Sequence, residues 1–248
     1  MRYLVLSDIH SNLEALDAVL LAARAQKYDS VLMLGDLVGY GADPNAVVDR
    51  VRALQPVASV RGNHDKVAAG LDDAEDFNPI ARAAARWTRE ALTKSSLEYL
   101  RELPIGPVIV DEDIEICHGS PLDEDLYVVA DIDATRSIAV ARRHLCLYGH
   151  THVALCGKMD SQRRFEIDTP QGNPELQTIL EQDAKYLVNP GSVGQPRDGD
   201  ARAAYAIADM DRKTVTLHRV GYAIETAQKK ILTAGLPPAL AYRFAMGR

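Results

Sequence analysis

Tyr3–Leu6 is a short apolar run that stops at Ser7-Asp8, and apolar residues then recur at Leu13, Leu16, Leu20 and Leu21. A short apolar run closed by a polar loop predicts a buried strand. The helical period after it predicts a helix capped by Ser11 or Asn12. The alternation repeats: Val31–Leu34 predicts a second strand and Val57–Val60 a third. Between them Pro44–Leu54 predicts a helix, with Asp43 as its cap and Pro44 at the first helical position. A βαβαβ start implies right-handed crossovers and a sheet with helices on its faces.

Lys66 to Pro104 interrupts this alternation. An acidic loop (Asp72, Asp73, Glu75, Asp76) leads to a helix predicted from Pro79 to Leu92, with an apolar stripe of Ile80, Ala84, Trp87 and Ala91. A shorter helix, Leu97–Leu103, follows, so residues 66–104 are expected to form a small helical insertion over one edge of the core. Val108–Val110 and Ile114–Cys117 flank an Asp-Glu-Asp turn and predict a hairpin. Leu145–Tyr148, Val153–Lys158, Arg163–Ile167, Tyr186–Val188, Ala203–Asp209 and Thr214–Val220 read as further strands. C-terminal helices are expected over residues 222–246, Gly235 ending the first and Pro237-Pro238 opening the second. A strand–helix half followed by a strand-rich half predicts an α/β protein of two sheets packed face to face with helices outside. No linker divides the chain, and residues 1–248 are expected to form a single domain.

Composition narrows the class. Hydrophobic residues make up 47% and charged residues 25%, ordinary for a soluble globular protein, and a chain this long needs no disulfide or structural metal to fold. A formal charge of −7 argues against a surface built to grip nucleic acid, while leaving room for a small positive site. Cys117, Cys146 and Cys156 lack ligand spacing and are expected as reduced core residues. The N-terminal run lacks the form of a secretory signal, and no apolar stretch approaches the roughly 18 residues of a membrane span. A cytoplasmic protein without membrane contact is therefore expected.

Five polar clusters fall where a predicted strand has just ended. They are Asp8-Ile9-His10, Gly35-Asp36, Gly62-Asn63-His64-Asp65, Cys117-His118-Gly119 and Gly149-His150-Thr151-His152. Open α/β sheets put ligands beyond the carboxyl ends of their strands, so these segments can converge on one site. The donors are carboxylate, imidazole and one amide, without thiolate, which suits Mn, Fe or Zn rather than a thiolate zinc site or an all-oxygen calcium site. Seven such residues exceed the needs of one tetrahedral ion and suffice for two ions sharing a carboxylate. A pair of ions roughly 3.5–4 Å apart activates water and clamps a phosphoryl group. Each motif alone is weak, and Gly-Asn-His-Asp also reads as an ordinary turn capping a helix. The ordered set carries the reading.

With those blocks in order across Ser7–His152, and with Asn189-Pro-Gly-Ser192 and Pro196-Arg197 matching a closing segment, the chain resembles the calcineurin-like metallophosphoesterase superfamily. The likeness spans residues 1–210 and is nearest to its small bacterial and archaeal phosphodiesterases. It implies a four-layer αββα sandwich with two central mixed β-sheets. It implies two divalent metal ions, one held by Asp8, His10 and His152, the other by Asn63, His118 and His150, with Asp36 bridging them. The implied reaction is phosphoester hydrolysis by a metal-bridging hydroxide, with His64 as the general acid that protonates the leaving oxygen. Histidine titrates in the useful range for that task. The expected partner is a small phosphorylated substrate, an unspecified phosphodiester ahead of a nucleotide or dinucleoside polyphosphate. A non-catalytic scaffold of the same fold is the alternative, and the complete ligand set stands against it. Related small phosphodiesterases are commonly dimers, which leaves homo-oligomerisation open.

One position departs from the wider family. In its protein Ser/Thr phosphatase branch, the bridging aspartate is followed three residues later by an aspartate that orients the acid histidine, and then by a phosphate-binding arginine. Here those positions are Gly39 and Tyr40. His64 therefore needs another orienting group, and Tyr40 is read as either pocket-lining or packing. Arg197 is a candidate substrate contact, because a guanidinium grips two phosphate oxygens at once; the plainer reading is a solvated loop arginine. Asn12 is read as a helix cap, and Arg82, Arg86 and Arg89 as a solvated stripe, with a lid over substrate as the sharper alternative.

Overall fold

Alternate side chains of the first strand enter two different cores. Leu4 and Leu6 pack with Leu16, Val19, Val47 and Val51 from the first two helices, whereas Tyr3 and Val5 pack with Ile114, Leu145 and Tyr186 from the far half of the chain. A strand buried on both faces in this way lies in a central sheet, with helices on one side and a second sheet on the other.

The computed structural model describes Met1–Arg248. Its first half runs β1 (Arg2–Leu6), α1 (Leu13–Ala23), β2 (Ser30–Met33), α2 (Pro44–Leu54), β3 (Ala58–Ser59), α3 (Asn63–Ala68), α4 (Pro79–Ala91) and α5 (Lys94–Glu102). The rest runs β4 (Val108–Ile109), β5 (Ile114–Ile116), α6 (Asp131–Val140), β6 (Leu145–Leu147), β7 (Leu155–Met159), β8 (Phe165–Asp168), β9 (Glu175–Ile179), β10 (Lys185–Asn189), β11 (Ala203–Asp209), β12 (Thr214–Val220), α7 (Ile224–Thr233) and α8 (Pro238–Met246). The strands form two six-stranded sheets, ordered β3-β2-β1-β11-β12-β9 and β4-β5-β6-β10-β7-β8. Both are mixed: β1 is parallel to β2 and antiparallel to β11, and β10 is parallel to β6 and antiparallel to β7. On the outer face of the second sheet, Cys117, Cys146, Tyr148 and Leu187 meet Ala134 and Ile138 of α6. The result is the expected αββα sandwich. All three cysteines are free and buried.

Several elements differ from the sequence reading. β9 escapes it because it is an edge strand whose Glu175, Gln177 and Ile179 are exposed; Leu176 alone packs against the inter-sheet core. α6 escapes it because its buried face is only Ala134, Ser137 and Ile138. The buried face of α4 is Ala81, Ala84, Ala85 and Thr88, so its stripe is turned from the expected one, with small residues inside and Trp87 half-buried at the rim. Asp43 precedes α2 but makes no side-chain cap; its carboxylate pairs with Lys230 of α7 at 2.7 Å.

That ion pair belongs to a larger arrangement. Tyr40 sits in a small core with Ala81 and Ala84 of α4, Ala227 and Ile231 of α7, and Leu240 and Phe244 of α8. The interrupting helices and the C-terminal helices thus meet over the loop that follows β2. No helix is long and apolar enough to cross a membrane.

Candidate metal centre

β1, β2 and β3 are parallel neighbours, as are β5, β6 and β10, so the loops after each set emerge at one edge of their sheet. Hydrogen bonds then tie the loops together. Asp8 N donates to Gly35 O and His10 N to Asp36 O, both at 3.0 Å, and Gly149 N donates to His118 O at 2.8 Å. The sheets are joined by His150 N, which donates to Asp8 Oδ2 at 3.1 Å. Gly62 is needed for its lack of a side chain: a Cβ there would lie 2.1 Å from Asp36 Oδ1. All seven proposed ligands, together with His64 and Arg197, come to this edge.

The histidine tautomers follow from their outer partners. Nδ1 of His10 faces Val38 O at 3.0 Å, that of His118 faces Leu34 O at 2.7 Å, and that of His152 faces Gln195 O at 2.6 Å. A carbonyl only accepts, so each Nδ1 carries hydrogen and each Nε2 of a neutral ring presents a lone pair. His150 is turned around: its Nε2 donates to Asp125 O at 3.1 Å, which frees Nδ1. The freed nitrogens face one another, His10 Nε2 and His152 Nε2 at 3.0 Å, His118 Nε2 and His150 Nδ1 at 3.1 Å. Lone pairs so placed repel unless they share a cation or a proton.

Carboxylates and one amide complete the set. Asp36 Oδ2 lies 3.5 Å from His10 Nε2 and 3.4 Å from His118 Nε2, and Asp8 Oδ1 lies 3.4 Å from His152 Nε2. Asn63 Oδ1 is 3.3 Å from His118 Nε2. Donors about 2.1 Å from a common ion stand roughly 3.0–3.4 Å apart at angles between square and tetrahedral, so these spacings fit metal ligation. The donors form two groups, Asp8, His10, Asp36 and His152 in one, Asp36, His118 and His150 in the other. Asp36 belongs to both.

Burial sets the electrostatics. It holds His10, His150 and His152 below the usual histidine range, His150 at about 3, which keeps these rings neutral as ligands must be. It pushes Asp8 up to about 7. Burial also opposes charge on His118 and Asp36, but the two offset each other's cost: His118 rises to about 10 and Asp36 stays well below the carboxylate range. A proton on His118 thus stands where the donor set calls for a cation. The backbone carries strain here as well. Asp8, His10, Asp36, His150 and His152 all have φ between 50° and 67°. Non-glycine residues in that region cost of order 1 kcal/mol each, and such residues concentrate at functional sites.

His64 lies beside the clustered donors on the wall of a 360 Å³ cavity that Tyr40, Asn63, Phe77, Tyr127 and His150 also line. No aspartate orients it. Its ring is packed between Tyr40 and Phe77, with centroids 4.3 and 4.6 Å away, and meets the His10 ring edge-on at 4.9 Å. Its buried Nδ1 has no hydrogen-bond partner and abuts Gly39. Tyr40 is therefore both packing and pocket wall. Arg197 donates to the Tyr40 hydroxyl at 3.3 Å and to Gln195 Oε1 at 3.2 Å, at the mouth of the centre rather than in solvent. Arg82 is not a free surface residue either; its guanidinium holds the acidic loop by the carbonyls of Ala74 and Glu75.

Several supporting residues fall in the quoted motifs but were given no role by sequence. Asp65 accepts from Gly62 N and Val38 N, both at 3.1 Å, and so braces the loops carrying Asp36 and Asn63. Ser192 Oγ donates to Asp8 O at 2.7 Å, and Asn189 Nδ2 donates to Gly149 O at 2.7 Å. The Asn-Pro-Gly-Ser stretch marks the last two in the sequence, but what they hold is visible only in three dimensions.

Comparison with known proteins gives the family and the fold. Residues 1–213 match the family model of the calcineurin-like phosphoesterase superfamily domain. The chain is 35% identical over 252 residues to an uncharacterised protein of Methanocaldococcus jannaschii, with 98% of this chain and 97% of that one covered. It is 41% identical to a metallophosphoesterase of Sphaerobacter thermophilus, whose crystal structure superposes with a TM-score of 0.88 over 100% of this chain and 99% of the other. A Pyrococcus horikoshii OT3 protein at 21% identity shares the fold, with a TM-score of 0.78 and 100% and 98% covered.

Proposed function

Because the chain belongs to the calcineurin-like phosphoesterase superfamily, we propose that it hydrolyses phosphoester bonds of small molecules with two divalent cations seated in this centre. The observation that carries the reading is the pair of facing imidazole lone pairs, His10 with His152 and His118 with His150, joined by one carboxylate common to both groups. Asp8, His10 and His152 would hold one ion, Asn63, His118 and His150 the other, with Asp36 between them. Mixed nitrogen and oxygen donors suit Mn, Fe or Zn. Such ions would supply an ionised water at neutral pH and offset the charge of the phosphoryl oxygens.

The chain's own groups do the rest. The leaving oxygen needs a proton, and His64 on the cavity wall is the group to give it. Burial lowers His64 to about 4, so it rests neutral; the negative charge of a seated ester raises its proton affinity. Tyr40 and Phe77 fix the ring by packing where the phosphatase branch uses a carboxylate. Arg197 stands at the mouth, where a guanidinium can grip phosphate oxygens. A cavity of 360 Å³ suits a small substrate.

The test is hydrolysis of bis(p-nitrophenyl) phosphate and p-nitrophenyl phosphate with and without Mn²⁺, with Asp36→Asn as control. Turnover that requires the metal and collapses in the variant is expected. A protein loaded with both ions that hydrolyses neither ester would overturn the proposal.

A further inference from the structure

A second cavity, of 370 Å³, adjoins the one that contains His64, and Tyr40, Asn78 and Tyr127 line both. Its remaining walls are Arg197, Arg243 and Arg248, with no acidic side chain among them. This concentration of positive charge occurs in a chain of net charge −7. Elsewhere Arg50, Arg61, Arg164, Arg202 and Arg219 each face a carboxylate. The side chain of Arg197 instead reaches two neutral groups, the Tyr40 hydroxyl and Gln195 Oε1.

The arrangement is built rather than incidental. Arg243 projects from α8 between Leu240, Ala241 and Phe244, which are anchored in the core around Tyr40. Arg197 Cζ lies 5.8 Å from the centroid of the Tyr40 ring, and that centroid is 4.5 Å from the His10 ring and 4.3 Å from the His64 ring. One aromatic side chain thus separates the arginines from the proposed chemistry. Three arginines line this one cavity with no acidic side chain on its walls, so it favours an anion. Their planar forks match phosphate oxygens better than they match water.

Resting on the phosphoesterase reading above, the geometry points to a subsite in which Arg197, Arg243 and Arg248 hold a second phosphate of the substrate, with the hydrolysed phosphoester on the other side of Tyr40. The substrate class is a small molecule carrying two separate phosphate groups. The motif-bearing half supplies the reacting end, and α8 supplies selectivity for the distant phosphate.

The experiment compares adenosine 5′-monophosphate with adenosine 3′,5′-bisphosphate as competitors of Mn²⁺-dependent bis(p-nitrophenyl) phosphate hydrolysis. A charge-assisted contact is worth enough for the bisphosphate to bind about tenfold tighter or more. Arg243→Gln should remove that advantage, and Arg243→Lys, which keeps the charge but loses the fork, should retain part of it. Equal inhibition constants in the unaltered protein, or an advantage that survives in Arg243→Gln, would overturn the subsite. Titration calorimetry of the same two compounds on Mn²⁺-loaded protein separates this inference from the hydrolase reading. Tighter binding of the bisphosphate that Arg243→Gln abolishes supports the subsite even if no ester is cleaved, and its absence refutes the subsite even if esters are.

Discussion

Gly39→Ala is the sharpest probe of how His64 is held. Gly39 has φ of +93°, and a Cβ placed on it would stand 2.5 Å from His64 Nδ1 and 3.0 Å from Cγ. The backbone alone would cost about 1–2 kcal/mol, because L-residues avoid that region. For a protein of this size such a loss lowers Tm by about 2–8 °C. The ring would also have to move about 1 Å to restore van der Waals contact, and Tyr40 and Phe77 on either face leave it little freedom. A misplacement of about 1 Å in a catalytic group costs on the order of 100-fold in rate. The assay is kcat across esters of graded leaving group, at a temperature where the variant is folded, with His64→Gln as the benchmark. Alkyl esters, whose leaving oxygen needs a proton, should slow about 100-fold in Gly39→Ala and still more in His64→Gln. The p-nitrophenyl esters, which leave unaided, should change far less. Full activity of folded Gly39→Ala on an alkyl ester would refute the packing argument. An equal loss on every ester would show that His64 is not the proton donor.

Two further outcomes follow from the same geometry. Mn²⁺ at about 100 times its Kd should stabilise the protein by about 2.7 kcal/mol per site, a rise in Tm of about 5–10 °C that chelation reverses. At one fixed Mn²⁺ concentration that gap should widen from pH 6 to pH 9. His118 and Asp8 are both raised in the metal-free protein, to about 10 and about 7, so the stability they contribute is full at low pH and is lost as pH climbs through those values, whereas ligation needs both groups deprotonated. Calorimetry across pH checks this, and a gap that narrows with pH would sink it. Ser192→Ala removes the hydroxyl that donates to Asp8 O and accepts from Gln195 N, both at 2.7 Å. Loss of about 1–3 kcal/mol of stability is expected, with metal affinity weakened by roughly 10-fold or more in titration calorimetry; unchanged affinity would show that the Asp8 loop is set by other contacts.

Why the donor cluster was legible and the pocket was not comes down to the range over which each is encoded. Asp8, His10, Asp36, His118, His150 and His152 each follow a strand, and parallel pairing brings strand ends together, so local motifs were enough to foresee that these donors would cluster. The strain that marks the same residues, positive φ at five of the seven proposed ligands, was invisible, because no residue type in the sequence announces a left-handed histidine or aspartate. The layers were legible because runs such as Ala203–Asp209, buried throughout, and Thr214–Val220, with no exposed residue, sit inside the sandwich, while β9 and α6, each with few apolar contacts, were not. Tyr40 is the clearest case. Sequence offered it as pocket or packing, and it is both, because α4, α7 and α8 reach it from positions up to about 200 residues away. No spacing rule connects Tyr40 to Phe77, Tyr127, Arg197 and Arg243. The chemistry of this fold is therefore written in short blocks at strand ends, whereas the shape and charge that choose a substrate are written in the segments that close over Tyr40. Substitutions in those segments should alter which ester is bound without altering how the proposed metal ligands are held.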